Sequence, residues 1–169
     1  MFERRRSFRV PFRNKFIFSL SHGVFTATTV NLSSGGIFVQ TMETNIAQET
    51  RCRGLMVLNP EEKPVSMNAI IKRVVLPTDN PDIIPGLGLS FDLEPEMLLR
   101  LSSFMDECAH NYKVAATILS YGEPDLLSLE PLIAKMKLPV VMDIGELKFH
   151  VEHVLKSIEI VQKLQQSET

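Results

Sequence analysis

The chain has 169 residues, 44% hydrophobic and 22% charged, with ten Pro, eight Gly, no Trp and a formal net charge of −2. That length holds one ordinary domain with an appendage, or two small domains, and buries a core large enough to exclude disorder as the default state. No apolar run reaches the roughly 18–20 residues of a membrane-spanning helix, and MFERRRSFRV lacks the apolar stretch and small-residue cleavage site of a secretory leader. The reading is cytoplasmic, with no membrane span.

Charge is unevenly placed. Residues 1–15 carry Arg4, Arg5, Arg6, Arg9, Arg13 and Lys15 against Glu3 alone, a balance of +5 that leaves −7 for the rest of the chain. A basic arm of this kind seeks anions. From Lys15 the pattern turns to period two, with Phe16, Phe18 and Leu20 alternating with Ile17 and Ser19 before a Ser21-His22-Gly23 turn. Val24–Val30 is rich in β-branched residues and runs into Asn31-Leu32-Ser33-Ser34-Gly35-Gly36, read as a polar loop, after which Ile37–Thr41 resumes a strand. Gly54–Leu58 and Val65–Leu76 flank the loop Asn59–Pro64 as a hairpin. A Pro- and Asp-rich loop then leads to a last short strand, Gly86–Phe91. Six strands with turn signals and no helical pattern between them predict an all-β core, an antiparallel barrel or sandwich.

Pro95 opens a helix predicted to reach about Tyr112, with Met97, Leu98, Leu101, Phe104, Met105 and Cys108 on one face. Val114–Tyr121 reads equally as strand or continued helix, and Glu130–Lys137 as a short helix. From Asp143 to Gln165, Ile144, Leu147, Val151, Val154, Ile158 and Val161 recur at alternating spacings of three and four, a heptad seam of nearly three repeats. Such a seam forms either one wall of an intramolecular core or a coiled coil. The charged residues beside it keep a homo-oligomer through 143–165 open. The chain thus divides into a barrel with its following helix, 1–112, and a mainly helical extension, 113–169.

Two motifs carry chemistry. Arg5-Arg6-Ser7-Phe8-Arg9 is an RxxxR with Arg4 directly before it, and Asn31-Leu32-Ser33-Ser34-Gly35-Gly36 is an NxSxxG, 22 positions after Arg9. Each is weak alone. Together, in this order and β-rich context, and with GLGLSF before a helix, residues 3 to about 110 resemble the PilZ domain family of bacterial cyclic di-GMP receptors. The resemblance implies a ligand site built from Arg4, Arg5, Arg9, Asn31, Ser33, Ser34, Gly35 and Gly36. It implies an all-β core closed as a six-stranded antiparallel β-barrel, and a non-enzymatic receptor whose arm orders against that barrel when the dinucleotide binds. An arginine directly before RxxxR implies binding of an intercalated ligand dimer. It implies no cofactor, and the downstream protein partner is unknown.

The residue chemistry agrees with that expectation. An arginine guanidinium pairs in a bidentate way with guanine O6 and N7 or with phosphate oxygens, which a lysine ammonium does not. The Asn31 amide oxygen can accept from guanine N1–H and N2–H, while Ser33 and Ser34 can donate to phosphate. Gly35 and Gly36 would let backbone N–H groups approach the ligand.

Competing features are thinner. Cys52 and Cys108 stand 56 positions apart with no CxxC, as idle thiols would. Glu146, His150 and His153 share a helical flank but lack a further metal ligand, and no phosphate-loop, zinc-protease or nucleophile-elbow pattern is present. The net-negative body argues against general nucleic-acid binding. The rival reading is a PilZ-like module that binds no ligand and acts in assembly through its helical tail.

Overall fold

The computed structural model describes residues 7–78, 80, 82–136, 138 and 142–167. Seven strands come first: β1 (Val10–Pro11), β2 (Lys15–Leu20), β3 (Gly23–Ser33), β4 (Gly36–Gln40), β5 (Arg51–Met56), β6 (Val65–Val75) and β7 (Gly86–Asp92). Three helices follow: α1 (Pro95–Leu119), α2 (Leu126–Met136) and α3 (Ile144–Ser167). Pairing runs β3-β2-β5-β6-β7-β4 and closes through β4–β3, all antiparallel, so six strands make a barrel and β1 adds a seventh on the flank of β3.

Period-two alternation builds the interior. Phe16 and Phe18 of β2, Met67, Ala69 and Ile71 of β6, and Leu87 and Leu89 of β7 point inward and are buried. Two bulges interrupt the alternation: one in β3 between Thr29 and Asn31, and one in β6 between Ile71 and Arg73. Each inserts a residue, so that two successive side chains face outward before the inward rhythm resumes. Val30 and Asn31 are the outward pair in β3, and Lys72 and Arg73 in β6; the β6 pair lines the site described below.

The segment read as a basic arm is partly a strand. Phe8, Val10 and Phe12 alternate inward and are buried. Val10 lies opposite Leu32, and Pro11 opposite Asn31. Thr29, 1% exposed, ties the segment down: its hydroxyl donates to the Phe12 carbonyl and accepts from the Asn14 N–H at 2.6 Å. On the other side, the Phe12 ring meets Phe104 of α1 edge-on at 5.6 Å.

The helices depart from expectation at their ends. α1 runs unbroken through Tyr112 and Lys113 to Leu119, because Ala115 and Leu119 continue its buried stripe. The ambiguous stretch after residue 113 is therefore helix. α2 begins a turn earlier than Glu130. Asp125 caps it by accepting from the Leu127 N–H at 3.1 Å, and Pro131 sits inside it. In α3, Asp143 and Glu146 exchange bonds, Asp143 N–H to Glu146 at 3.2 Å and Glu146 N–H to Asp143 at 2.8 Å, a capping box.

The heptad seam resolves as an intramolecular wall. Leu147, Val151, Val154, Ile158 and Val161 are buried, and α3 packs on α1. Of the seam, Ile144 alone stays exposed. The homo-oligomer read through this seam finds its apolar side chains already covered by the chain's own first helix.

One titratable pair lies inside that packing. The Tyr112 hydroxyl is 3.4 Å from His150 Nε2. Burial, and then the neighbouring His153, lower the His150 pKa below its ordinary 6.5. The folded state therefore holds fewer protons than the unfolded state once pH falls through 6.5, so stability is full above that value and declines below it. Urea midpoints measured from pH 7.5 to 5 are expected to fall for the parent chain and to fall less for His150→Gln. Equal slopes would show that His150 is not the group responsible.

Candidate functional site

The NxSxxG segment is a strand end and a tight turn, not a loop. Asn31, Leu32 and Ser33 close β3, Ser34 and Gly35 make the turn, and Gly36 opens β4. The Ser33 hydroxyl donates to the Gly36 carbonyl at 3.1 Å, pinning the turn. Its proton is engaged there, so a ligand oxygen would have to compete for it. The Phe91 N–H donates to the Gly35 carbonyl at 3.0 Å and fastens the turn to β7.

The two glycines differ in role. A Cβ on Gly36 would overlap the Leu89 carbonyl oxygen and lie 3.3 Å from its carbon, so Gly36 is needed for β4 to approach β7. A Cβ on Gly35 would meet only the Ser7 hydroxyl, at 3.7 Å. Neither glycine has a positive φ. The part expected of Gly36, opening the backbone to a ligand, is thus joined by a packing requirement inside the sheet.

A groove of about 320 Å³ lies on the outer barrel wall beside this turn. The arm contributes Ser7 and Arg9, and the turn contributes Ser33, Gly35 and Gly36. Phe38 of β4 forms part of the wall. Across from them, β6 contributes Lys72 and Arg73 and β7 contributes Gly88 and Ser90. The volume falls within the roughly 300–1,000 Å³ typical of small-ligand sites. The groove is cationic and rich in hydroxyl groups, with glycine backbone in its wall.

Of the expected site residues, Arg9, Ser33, Gly35 and Gly36 share this groove. Asn31 lies outside its lining; it is half-buried on the outward side of β3, in register with Phe38 on one flank and Pro11 on the other. Ser34 is half-buried in the turn and does not line the groove. Arg4 and Arg5 lie outside the described residues.

Lys72 and Arg73 were missed by sequence reasoning. The bulge between Ile71 and Arg73 aims both outward, and Lys72 also bonds Glu49 at 2.7 Å. Glu49 holds φ 65°, an uncommon conformation for a non-glycine residue, stabilised by its N–H donating to the Ile71 carbonyl at 2.7 Å. The one available signal was two adjacent cations inside an otherwise alternating strand.

The rejected candidates have other duties. Glu146 belongs to the α3 capping box, His150 to the Tyr112 contact, and the His153 ring stacks near Phe149 with centroids 6.3 Å apart. No three His, Cys, Asp or Glu side chains come together as a metal site among the described residues. Cys52 and Cys108 are both free, and burial pushes the Cys52 thiol up to about 11. No helix among the described residues is long and apolar enough to cross a membrane.

Comparison with known proteins places the barrel. No protein of curated function matches the sequence. Among solved structures, the chain superposes on the MrkH–c-di-GMP complex of K. pneumonia with a TM-score of 0.57 at 16% identity, covering 67% of this chain and 56% of that one. It superposes on YcgR of Escherichia coli in complex with c-di-GMP with a TM-score of 0.54 at 16% identity, covering 68% and 50%. The PilZ domain of YcgR with c-di-GMP gives 0.51 at 15% identity, covering 66% of this chain and 98% of that domain. The chain thus matches about half the length of the larger MrkH and YcgR chains and nearly all of the isolated domain. The model of the PilZ domain matches residues 3–107, which span the arm, the whole barrel and the first half of α1. The chain belongs to the PilZ domain family.

Proposed function

We infer that the chain is a receptor for cyclic di-GMP, a binding protein rather than an enzyme. The observation that carries this reading is the pairing of β1, the continuation of the RxxxR arm, with Asn31 and Leu32 of the NxSxxG segment. The arm is thereby delivered to the turn, and Ser7, in the middle of RxxxR, lies against Gly35. MrkH and YcgR, which share the fold, were solved with this ligand.

In this reading Arg5 and Arg9 close on the dinucleotide from the arm side, with forked guanidinium groups on phosphate or guanine edges. Lys72 and Arg73 supply positive charge from the opposite wall. Asn31, in register with Phe38 of the groove wall, accepts from a guanine edge that extends past the groove, Ser33 turns from the Gly36 carbonyl to a phosphate, and Ser34 meets the ligand from the turn beyond the groove lining. Arg4 stacks on the outer guanine of an intercalated pair. Binding orders the arm over the groove, and the free energy for that step comes only from contacts made in the ordered state. Residues 1–112 carry the ligand, and 113–169 present a surface to a downstream protein.

Isothermal titration of the full chain with cyclic di-GMP tests the reading. Micromolar or tighter binding is expected, weakened about tenfold or more in Arg5→Ala and in Arg9→Ala, since each removes charge-assisted bonds worth roughly 1.5–3 kcal/mol. No heat from the intact protein would end the proposal. A stoichiometry of one ligand per chain would remove the dimer part alone.

A further inference from the structure

The α3 helix has two apolar faces, and only one is covered. Its seam residues Leu147, Val151, Val154, Ile158 and Val161 pack on α1. Phe149, His153, Ile160 and Leu164 fall on the opposite side, in a strip roughly 60° wide at about 100° per residue. Phe149 is 74% exposed, Ile160 43% and Leu164 40%. Phe149 offers a large apolar surface to water, met within its own chain by the neighbouring His153 ring at 6.3 Å.

The charges beside the strip are ordered. Glu152, Lys156, Glu159 and Lys163 run along one flank at spacings of four, three and four, and all are exposed. Among the described residues, none of the four makes an ion pair. The other flank carries His150 and Ser157, and its one charge, Glu146, sits at the helix start, where it is engaged in the capping box. In a parallel helix pair each flank faces the other kind, so beyond Glu146 at the helix start these charges would meet neutral side chains. In an antiparallel pair a flank faces its own copy, and opposite charges can meet.

One antiparallel register matches both the charges and the apolar strip. Residues whose numbers sum to 315 lie opposite each other. Glu152 then faces Lys163 of the second copy, and Lys156 faces Glu159, each pair occurring twice by symmetry. In the same register Leu164 of one copy falls between Phe149 and His153 of the other, and Ile160 falls beside His153. We propose that the outer face of α3 is a homodimer interface, an antiparallel helix pair in this register. It stands independently of the cyclic di-GMP reading.

The test is charge reversal and rescue in the full chain, followed by sedimentation equilibrium. Glu152 and Lys163 are eleven residues apart, about 16 Å along a helix, too far to pair within one chain. A dimer is expected with a dissociation constant on the order of micromolar, as a single helix pair lies at the small end of stable interfaces. Glu152→Lys and Lys163→Glu are each expected to weaken it about tenfold or more, because each sets like charges opposite one another twice. The double variant Glu152→Lys/Lys163→Glu is expected to restore the parent affinity. Circular dichroism that matches the parent shows that the helix itself survives each exposed substitution. A parent chain that stays monomeric at about 100 µM overturns the proposal and leaves the strip to a different protein. A dimer indifferent to the single reversals, or not restored by the double, overturns the interface as well.

Discussion

Gly36→Ala is expected to lower stability by about 3 kcal/mol or more, while Gly35→Ala, one residue earlier, stays within about 0.5 kcal/mol of the parent. The contrast follows from what each new methyl group meets. At Gly36 it overlaps the Leu89 carbonyl oxygen and sits 3.4 Å from the Ser90 Cα, all backbone, with no flexible side chain to swing away. Relief requires β4 to move from β7 around the Gly36–Ser90 register pair, which also pulls on the Phe91 N–H to Gly35 carbonyl bond of 3.0 Å. Two or three buried backbone groups then lose partners at roughly 1–3 kcal/mol each, against a total stability of about 5–15 kcal/mol. At Gly35 the methyl group meets the Ser7 hydroxyl at an ordinary 3.7 Å, and φ is not positive. Urea unfolding of the two variants is the measurement. A Gly36→Ala midpoint equal to that of the parent would show that the strands separate without penalty there and that the close approach is not a constraint.

This contrast shows where sequence reading stops. NxSxxG presents both glycines as equivalent members of a ligand turn, because a one-dimensional pattern records the absence of a side chain and not what occupies the space. The barrel strands were legible because each buries one face, so their apolar residues alternate. Phe8, Val10 and Phe12 alternate in the same way, but Arg9 between them and Arg13 directly after made the segment look like a solvated arm, and β1 went unread. The end of α1 was obscured by Val114, Thr117 and Ile118, β-branched residues that suit a strand equally well. Burial of Ala115 and Leu119, a tertiary fact, decides it. The α3 heptads gave the helix and its buried face correctly but not the identity of the covering partner. An apolar seam reads the same whether α1 or a second copy lies across it.

Lys72 and Arg73 illustrate the limit from the functional side. Strict alternation from Val65 through Met67, Ala69 and Ile71 would send Arg73 into the barrel. A buried unpaired guanidinium is too costly to persist, so the strand needs a bulge between Ile71 and Arg73 to turn both cations to solvent. The bulge converts an apparent violation of the pattern into a charged groove wall.

That wall supplies the other large effect. Lys72→Glu/Arg73→Glu is expected to weaken cyclic di-GMP binding by about a hundredfold or more, since two attractions to a dianion become repulsions in a partly enclosed groove. Alanine at either position alone is expected to cost about three- to tenfold, less at Lys72 because Glu49 already bonds it at 2.7 Å. The control lies on another part of the barrel wall. Arg51 and Arg53 of β5 are also exposed strand arginines that do not line the groove, and Arg53 donates to the Ser66 hydroxyl at 2.9 Å. Arg51→Glu/Arg53→Glu changes net charge by the same amount and is expected to leave affinity within about threefold, because neither side chain lines the groove and exposed charges without direct contact are largely screened at physiological salt. Titration of the three proteins at two salt concentrations separates local contact from overall field. If both double variants weaken binding equally, net charge alone is at work. If the Lys72/Arg73 reversal binds as the parent does, the ligand is held by the arm and turn without the β6 wall.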